Sequence, residues 1–576
     1  MPLPIFFYLG KGNLLKTNRR LDAILDLFLL VSIFWIVRYW HSLHFGLYED
    51  DLTIIPDAFM RSFSSLISYI FTYISHLYGH ARPLSDSFIY LFSWIGWRTI
   101  GLWGPYLIGY LITVINIGLF YWLILRVTSR PFALLAGLGY ILYSADTTQA
   151  YLTHSLGLQP SMLLVLLALH GYLSNKRFLA YVLAFIVLFS YETPFLLFLV
   201  APLLKRDWNR RLIKEILWHV GILIGMLGSI YIFRASIGEG RVSGLGLTGL
   251  IMTPILHMLE GPAVSLGTFA YRPIQTIQAI NPEIGLAVVL SFAVFIVVVS
   301  RLSISTKVKI KDLSRALKDP LARRDIPDDI KSLGHVFFSG IIMLVAAYPL
   351  TFTVRAYAIS GRDTRVHFAG VAGAALLIAS FEFFLIFLSN GSFWRKLVNI
   401  LISLELALMV GYGFVIQRDY INAWQYQREF WTELLPLIPD TGGGTIVLVD
   451  PAALHDTLQI GANYWNLPSV LGQLYIFPEE EKYIPVVYRL QDGWENLLVG
   501  GDGQFLINST TLYSVIINPG EYNPQNIILI QADVGHLVRR FHLELNGHDF
   551  QLKPFTESVL PDLPHGFLYP LLFAEH

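Results

Sequence analysis

The sequence contains no cysteine, and only 14% of its 576 residues are charged. The missing cysteines exclude disulfide bonds, thiol nucleophiles and cysteine metal ligands, and they fit either redox compartment. Soluble domains carry about 25% charged residues, so the low charge excludes a soluble protein of several domains. The 41 basic and 41 acidic residues balance, which argues against a nucleic-acid partner.

Common catalytic motifs are absent as well. The sequence has no Walker lysine loop, no dinucleotide glycine fingerprint, no His-Glu-x-x-His and no Gly-x-Ser-x-Gly. Five histidines flank the side that we predict to be external, without metal-ligand spacing, so core or interface roles are expected for them: His41, His44, His76, His80 and His154. These absences narrow the range of possible chemistry.

Long apolar runs are abundant between Leu21 and Val415. Each is about 20 residues long, the length that crosses the hydrocarbon core of a bilayer. We predict spans at 21–40, 103–126, 131–149, 152–172, 213–233, 283–303, 334–354, 367–389 and 395–416. Residues 178–204 form a further run that Tyr191, Glu192 and Pro194 interrupt, which predicts two half-spans in a hairpin. We expect about 10–12 transmembrane helices.

The distribution of lysine and arginine predicts the orientation. The short basic stretches are Lys11–Arg20, Arg126–Arg130, Lys176-Arg177, Lys205–Arg211, Lys307–Lys331 and Arg395-Lys396. Basic loops stay in the cytoplasm, and all six can do so if 178–204 enters and leaves on one side. The loops 41–102, 234–282 and 355–366 then face outward. We expect a multi-pass protein of the cell (inner) membrane with a cytoplasmic N-terminus, whose first span is retained rather than cleaved.

Two outer regions have structure of their own. In the first loop, apolar residues at three–four spacing predict an amphipathic helix lying in the membrane interface: Phe59, Phe63, Leu66, Ile67, Ile70, Ile74 and Leu77. Phe88–Trp97 is a second, short interfacial candidate. These features assign residues 1–416 to a membrane domain, and the change of composition after Val415 assigns residues 417–576 to a small extracytoplasmic α/β domain.

The C-terminal region is predicted to begin with a helix over Gln417–Leu435 that ends at Pro436. Short β-rich runs separated by Gly and Asn-Pro then predict strands: Thr445–Val449, Tyr483–Leu490, Gln504–Ile507, Leu512–Ile517, Ile527–Gln531 and Leu537–Leu545. A helix is expected after the first of them.

Three adjacent acids, Glu49, Asp50 and Asp51, follow the first span on the predicted outer side. Like charges this close raise at least one pKa unless a cation lies nearby. A carboxylate here can act as a general base that takes a proton from an acceptor hydroxyl. Three clustered acids could also bind Mg²⁺ or Mn²⁺. The alternative is a solvated acidic loop without chemistry.

Outward arginines are the second feature. Arg82 lies in His80-Ala81-Arg82-Pro83-Leu84, and Arg355, Arg362 and Arg365 lie in the last outer loop. Because basic residues are rare outside, we interpret them as candidates for binding an anionic phosphate. The alternative is contact with lipid headgroups.

Acidic residues also occur within the apolar runs. Glu382 and Glu405 lie on neighbouring spans and are interpreted as structural. Glu192 lies at the break of the predicted hairpin, where it is a candidate for a supporting role near the outer site.

In their order, these features resemble the C-type (GT-C fold) membrane glycosyltransferases, in particular bacterial enzymes akin to protein mannosyltransferases and the aminoarabinose lipid A transferase. Glu49-Asp50-Asp51 matches the acidic motif of the family's first outer loop. His80–Leu84 is similar to its Arg-Pro-Leu element, and Leu188–Pro194 to its Ser-Lys-Glu segment, with Tyr191 in place of the lysine. The resemblance covers roughly residues 15–416.

The resemblance implies transfer of a sugar from a polyprenyl-phosphate-linked donor to a lipid, glycan or protein acceptor on the external side, with inversion. Asp50 or Asp51, beside Glu49, would be the base, and Arg82, Arg355, Arg362 and Arg365 would bind the donor phosphate. His80 and Glu192 are possible supporting residues, and use of a divalent cation stays open. An O-antigen-type polymerase or ligase and a lipid-linked glycan transporter are the alternatives.

Overall fold

The computed structural model describes most of the chain. The described residues are 15–76, 82–205, 208, 210–237, 246–305, 328–352, 355–389, 391–442, 444–461, 467–478, 484–490, 526–533, 536–546, 549–552 and 560–573. The α-helices are α1 (Leu15–Tyr39), α2 (Asp51–Met60), α3 (Phe63–His76), α4 (Pro83–Ile100), α5 (Trp103–Val127), α6 (Arg130–Leu142), α7 (Leu152–Gly157), α8 (Gln159–Leu173), α9 (Arg177–Ser190), α10 (Arg210–Ser236), α11 (Gly246–Gln278), α12 (Pro282–Ser305), α13 (Asp328–Ala346), α14 (Val371–Leu388), α15 (Ser392–Leu434), α16 (Leu467–Leu474) and α17 (Leu568–Phe573).

Six helical segments of the described chain are long and apolar enough to cross a membrane. They are Trp103–Val127, Leu152–Leu173, Arg210–Ser236, Pro282–Ser303, Arg362–Leu388 and Ser392–Leu437. Large apolar side chains lie on their surfaces, among them Trp218 at 68% exposure and Val289 at 64%. Such surfaces are unfavourable in water and suit contact with lipid. The protein is therefore built as a helical, membrane-embedded chain.

The interrupted apolar run at 178–204 is broken where the sequence predicts. Helix α9 ends at Ser190, and a 3₁₀ helix, Thr193–Val200, follows. Pro194 lies in the first turn of that 3₁₀ helix, where its missing N–H costs no hydrogen bond. Tyr191 and Glu192 form the junction between the two pieces.

The predicted outer loop 234–282 contains a long helix that the sequence did not indicate. Most of it is α11, a helix of 33 residues that contains Pro254, Pro262 and Pro273. Prolines usually interrupt a helix in water. In this chain α11 packs along α15, and the packing of a long apolar helix outweighs the lost hydrogen bonds.

The predicted interfacial helices also differ from the structure. The amphipathic stretch is two helices, α2 and α3, separated at Arg61 and Ser62. The Arg61 guanidinium binds Asp57 at 3.0 Å and lies 3.8 Å above the Tyr69 ring. These contacts stabilise the junction between α2 and α3. The short aromatic stretch is the central part of α4, which has 18 residues.

Helix α15 connects the membrane part to the C-terminal region. It has 43 residues and runs without a break through residue 416, where the sequence predicts the domain boundary. It ends in a 3₁₀ turn, Leu435–Leu437, that contains Pro436, as predicted. A helix of this length extends about 65 Å, so its second half reaches well beyond a bilayer core of ~30 Å.

The C-terminal region contains a mixed sheet of five strands: β1 (Thr445–Val449), β2 (Val486–Arg489), β3 (Asn526–Asp533), β4 (His536–Asn546) and β5 (Asp549–Leu552). The spatial order is β2-β1-β3-β4-β5. β1 pairs in parallel with β2 and β3, with Ile446 opposite Val486 and Ile527, and β3–β4 and β4–β5 are antiparallel.

Four of the predicted strands match β1 to β4, whereas β5 was not predicted. The predicted strands at 504–507 and 512–517 lie outside the described residues. The five residues of β1 are all buried, which explains why this central strand has a continuous apolar sequence.

Candidate active site

The acidic turn after α1 is held by the far end of the chain. The Trp424 ring of α15 fills the space where Gly46 would carry a Cβ atom, so only glycine fits there. The buried Tyr48 hydroxyl donates to the Tyr420 carbonyl at 2.8 Å, and the Gln427 amide donates to the Leu47 carbonyl at 3.2 Å. These contacts fix residues 46–48 immediately before the three acids.

Arg362 joins the first two acids to residues 355–366, the segment predicted as the last outer loop. Its Nε lies 2.9 Å from Glu49 Oε2, and a terminal nitrogen lies 2.6 Å from Asp50 Oδ2. The Glu49 side chain is only 2% exposed, whereas that of Asp50 is 32% exposed. Glu49 has a φ of +50°, an uncommon left-handed conformation for a side chain of this size. Asp50 is therefore the accessible acid of the group.

Asp51 has a different environment from its two neighbours. It is completely buried, and its two carboxylate oxygens accept hydrogen bonds from the backbone N–H groups of Leu152 at 2.9 Å and Thr153 at 2.8 Å. Burial raises the pKa of Asp51 to about 7, although the two hydrogen bonds partly oppose the shift. Its observed contacts cap the start of α7.

The three acids do not turn toward one common point. Asp51 faces backbone amides, and Arg362 occupies the position between Glu49 and Asp50 where a cation would otherwise compensate their charge. No three Asp, Glu or His side chains converge as a metal-ligand group within the described parts of the chain. This donor set does not fit one Mg²⁺ or Mn²⁺ held by all three acids.

Arg82 belongs to a second cluster with Glu192. Two of its nitrogens contact the two Glu192 oxygens, one at 2.8 Å, and its guanidinium lies 4.3 Å above the Tyr191 ring. Arg234 of α10 also binds Glu192, at 3.3 Å. Arg82 is therefore engaged by a carboxylate other than Asp50 or Asp51. His80 lies outside the described residues, and its supporting role stays a prediction.

Arg355 and Arg365 are the arginines of the last loop without a carboxylate partner among the described residues. Arg355 is exposed, and its guanidinium lies 5.8 Å from the centre of the Tyr357 ring. Arg365 is half-buried and lies within electrostatic range of Asp146 and His154. Their positive charges are available to an anion, unlike those of Arg82 and Arg362.

Asp146 is a buried acid that the sequence analysis missed. The predicted span 131–149 ends early, because α6 stops at Leu142, and a polar loop follows. In this loop Asp146 Oδ1 accepts hydrogen bonds from Thr148 N and Oγ1, and the Thr148 hydroxyl contacts His154 Nδ1 at 2.9 Å. Burial raises the pKa of Asp146 to about 6, although the positive charges of Arg38 and Arg365 lower the pKa and partly oppose the shift. The four consecutive polar residues at 146–149 were the feature of the sequence that could have indicated this polar loop.

A segment of the C-terminal region, residues 456–461, forms one wall of the site. Gly361 N donates to the Gln459 carbonyl at 2.8 Å, and the Thr147 hydroxyl donates to the same carbonyl at 2.7 Å. The Gln459 side chain accepts the Tyr412 hydroxyl at 2.6 Å. At the closest approach, a Cβ added to Gly461 would lie 2.9 Å from the Gly361 Cα.

A cavity of about 310 Å³ lies between these two segments. Its lining comes from residues 360–363 of the last outer loop and from Asp456, Thr457, Leu458 and Gly461. Arg362 therefore contacts the acids on one side and lines the cavity on the other. Residues 456–461 carry no motif, so nothing in the sequence marks this segment as part of a site.

The two intramembrane acids that were interpreted as structural interact with each other. Glu382 on α14 lies within electrostatic range of Glu405 on α15. Glu382 is buried, and its Oε1 has no hydrogen-bond partner among the described residues. Neither acid forms an ion pair with a basic side chain among the described residues.

Comparison with known proteins adds no family assignment, since neither a protein-family model nor a curated protein matches the chain.

Proposed function

We propose that the chain is a membrane glycosyltransferase that transfers a sugar from a polyprenyl-phosphate-linked donor to an acceptor hydroxyl on the extracytoplasmic side. The observation that carries this proposal is the contact of Arg362 with both Glu49 and Asp50. It joins an acidic turn early in the chain to a loop more than 300 residues later. A solvated acidic loop without chemistry would not need this arrangement.

Asp50 is the proposed general base. Its carboxylate is accessible, and the charge-assisted bond to Arg362 fixes its direction. The acceptor oxygen attacks C1 of the sugar while the bond between C1 and the phosphate oxygen breaks. The electron pair leaves on the phosphate, and the acceptor proton moves to Asp50. Attack opposite the leaving group inverts the anomeric carbon.

Arg365 and Arg355 are the proposed partners of the departing phosphate. Neither guanidinium group forms an ion pair with a carboxylate among the described residues, so an anion can bind without displacing an existing partner. Positive charge at the leaving oxygen stabilises the charge that develops in the transition state. Arg362 is better suited to positioning Asp50, and Arg82 to holding Glu192 at the hairpin break.

A membrane-linked donor follows from the proposed side of the reaction. The lysine and arginine distribution favours an N-terminus in the cytoplasm and a C-terminal region outside the inner membrane. Sugar nucleotides are made in the cytoplasm, so an external site needs a donor anchored in the lipid. The apolar surfaces of the spanning helices suit contact with such a donor.

The test uses purified full-length protein in lipid nanodiscs with polyprenyl-phosphate donors that carry labelled sugars. We expect Asp50→Asn to lower transfer by at least about 100-fold, the usual contribution of a general base. Asp57→Asn is the matched control. Asp57 is 31% exposed and paired with Arg61, much as Asp50 is 32% exposed and paired with Arg362.

Equal activity of the Asp50→Asn and Asp57→Asn variants would show that Asp50 is not the general base. Movement of the labelled lipid across the bilayer without sugar transfer would instead support a lipid-linked glycan transporter. Transfer of a whole preassembled glycan chain would favour the polymerase or ligase alternative.

A further inference from the structure

The cavity between the last outer loop and residues 456–461 has the features of a binding site of its own. We propose that it binds a neutral, hydroxyl-rich sugar ring, the acceptor end of the reaction, and this rests on the proposed function above. Its volume of about 310 Å³ is at the lower end of small-molecule sites, which span roughly 300–1,000 Å³. That volume suits one monosaccharide and is too small for a prenyl chain.

The charges around the cavity disfavour an anion. Asp363 and Asp456 bring two carboxylates to its lining, while Arg362 is its one basic lining residue among those described. The Arg362 charge is already shared with Glu49 and Asp50. A phosphate would therefore meet excess negative charge. Carboxylates accept hydrogen bonds from neighbouring hydroxyls, which sugars supply.

Thr457 gives an independent indication that the cavity holds a ligand. It is 8% exposed, it lines the cavity, and its hydroxyl has no hydrogen-bond partner among the described residues. A buried hydroxyl without a partner is costly. A sugar hydroxyl in the cavity would satisfy it after a rotation about the Thr457 Cα–Cβ bond. Leu458, 74% exposed, offers an apolar surface for the C–H face of a ring.

The position of the cavity links the sugar to the proposed base. Arg362 contacts Asp50 and also lines the cavity, so the cavity adjoins the side chain that holds the proposed base. The wall formed by 456–461 comes from the C-terminal region, so that region supplies part of the acceptor site.

Direct binding to the full-length protein in nanodiscs tests the inference without any donor. The probes are methyl glycosides of glucose, galactose and mannose, observed by saturation-transfer NMR. We expect at least one of them to bind, with affinity lowered about tenfold in Thr457→Val, equal to the loss of ~1.4 kcal/mol. Thr457→Ser, which keeps the hydroxyl, should bind like the wild type.

Thr441→Val is the matched control. Thr441 is also buried and its hydroxyl likewise lacks a partner in the described chain, but it does not line the cavity. Its substitution should leave binding within about twofold of the wild type. Asp456→Asn should weaken binding, and Asp562→Asn, an exposed acid outside the cavity, should not.

Three results would overturn the inference. One is no binding of any glycoside at about 20 mM, where a millimolar site would be mostly filled. Another is equal loss in Thr457→Val and Thr441→Val. The third is binding of Mn²⁺ that Asp456→Asn abolishes while the glycosides do not compete. The proposed function can fail separately from this inference. If Asp50→Asn leaves transfer intact, the proposed general base is wrong, whereas glycoside binding to the cavity is still expected.

Discussion

At the scale of single residues, Arg362 is the side chain on which the site depends most. It compensates two carboxylates at once, and one of them, Glu49, is 2% exposed. Removing one partner of a buried ion pair leaves an uncompensated charge. An arginine can donate to both acids through separate nitrogens, whereas a lysine has a single ammonium group.

We therefore predict that Arg362→Met lowers the free energy of unfolding by about 3 kcal/mol. Arg362→Lys should lose less, because it keeps the charge and one of the two contacts. The measurement is the apparent melting temperature in detergent, together with transfer activity. If Glu49→Gln changes the melting temperature by the same amount in the wild type and in Arg362→Met, the two side chains are not coupled.

Asp51 gives the protein a pH-dependent stability. Its pKa is about 7 in the folded state against an ordinary value of 3.8, so the folded protein binds the proton more tightly than the unfolded chain does. Its stabilising contribution is complete below about pH 4 and is lost as the pH rises through about 7. Because Asp51 is fully buried, the ionised form bears a desolvation cost at high pH.

We predict that the melting temperature of the wild type falls between pH 5 and pH 8 more than that of Asp51→Asn, by a few degrees. Thermal unfolding in detergent, measured across this range, checks the prediction. Asp146, with a raised pKa of its own, is present in both proteins and cancels in the comparison. If the melting temperatures of the two proteins change equally with pH, Asp51 is not the source of the pH dependence.

At the scale of elements, the close crossing of α1 and α15 is the contact that brings the acidic turn to the rest of the site. A Cβ added to Gly413 of α15 would lie 2.6 Å from the Val37 carbonyl oxygen of α1. The neighbouring Gln417 side chain donates to the Ile36 and Val37 carbonyls at 2.9 and 3.0 Å. The two backbones can approach this closely only at a glycine.

Gly413→Ala is therefore predicted to destabilise the protein by about 1–3 kcal/mol. Gly228→Ala is the control, since no atom lies within 4 Å of the added Cβ in α10. There alanine should be neutral or stabilising by up to about 1 kcal/mol, through its higher helix propensity. Melting temperatures of the two variants provide the measurement, and equal effects would argue against the close crossing.

Elements also show how far sequence patterns reach. The break at Tyr191 and Glu192 and the helix end at Pro436 follow from proline and charge, which act locally, and the sequence predicts both. The long helix α11 lies in a segment that was predicted only as an outer loop between two spans, and it contains three prolines, which disfavour a helix in isolation. Its helical state depends on α15 alongside it, and that neighbour is more than a hundred residues away.

At the scale of the whole molecule, orientation in the membrane is the property that the proposed function needs. The absence of cysteine makes it measurable, because a single introduced cysteine is the only thiol in the protein. Lys176 and Asp562 are both exposed, and the proposed topology assigns them to opposite sides of the membrane.

We predict that Asp562→Cys reacts with a membrane-impermeant thiol reagent added to spheroplasts, whereas Lys176→Cys reacts only after the membrane is permeabilised. Mass spectrometry of the labelled protein is the measurement. Labelling of both residues from the same side would contradict the proposed topology, including the assumption that 178–204 enters and leaves on one side.

The sequence by itself determined that this is a membrane-embedded helical chain with a small mixed sheet at its C-terminal end. Those features come from apolar run length and strand propensity, which are properties of neighbouring residues. Selecting Glu49, Asp50 and Arg362 as candidates was also possible from residue type and predicted side. Their pairing with one another was not, since 312 positions separate Asp50 from Arg362.

Only the tertiary structure separated three adjacent acids into different environments. It buries Asp51 against the amides of α7, leaves Asp50 accessible, and engages Arg82 with Glu192 instead of the acidic turn. It also brings residues 456–461 next to residues 360–363, and the two segments form a cavity that no sequence motif indicates. Burial and long-range contact arise from packing of distant segments, and a linear pattern does not encode them locally.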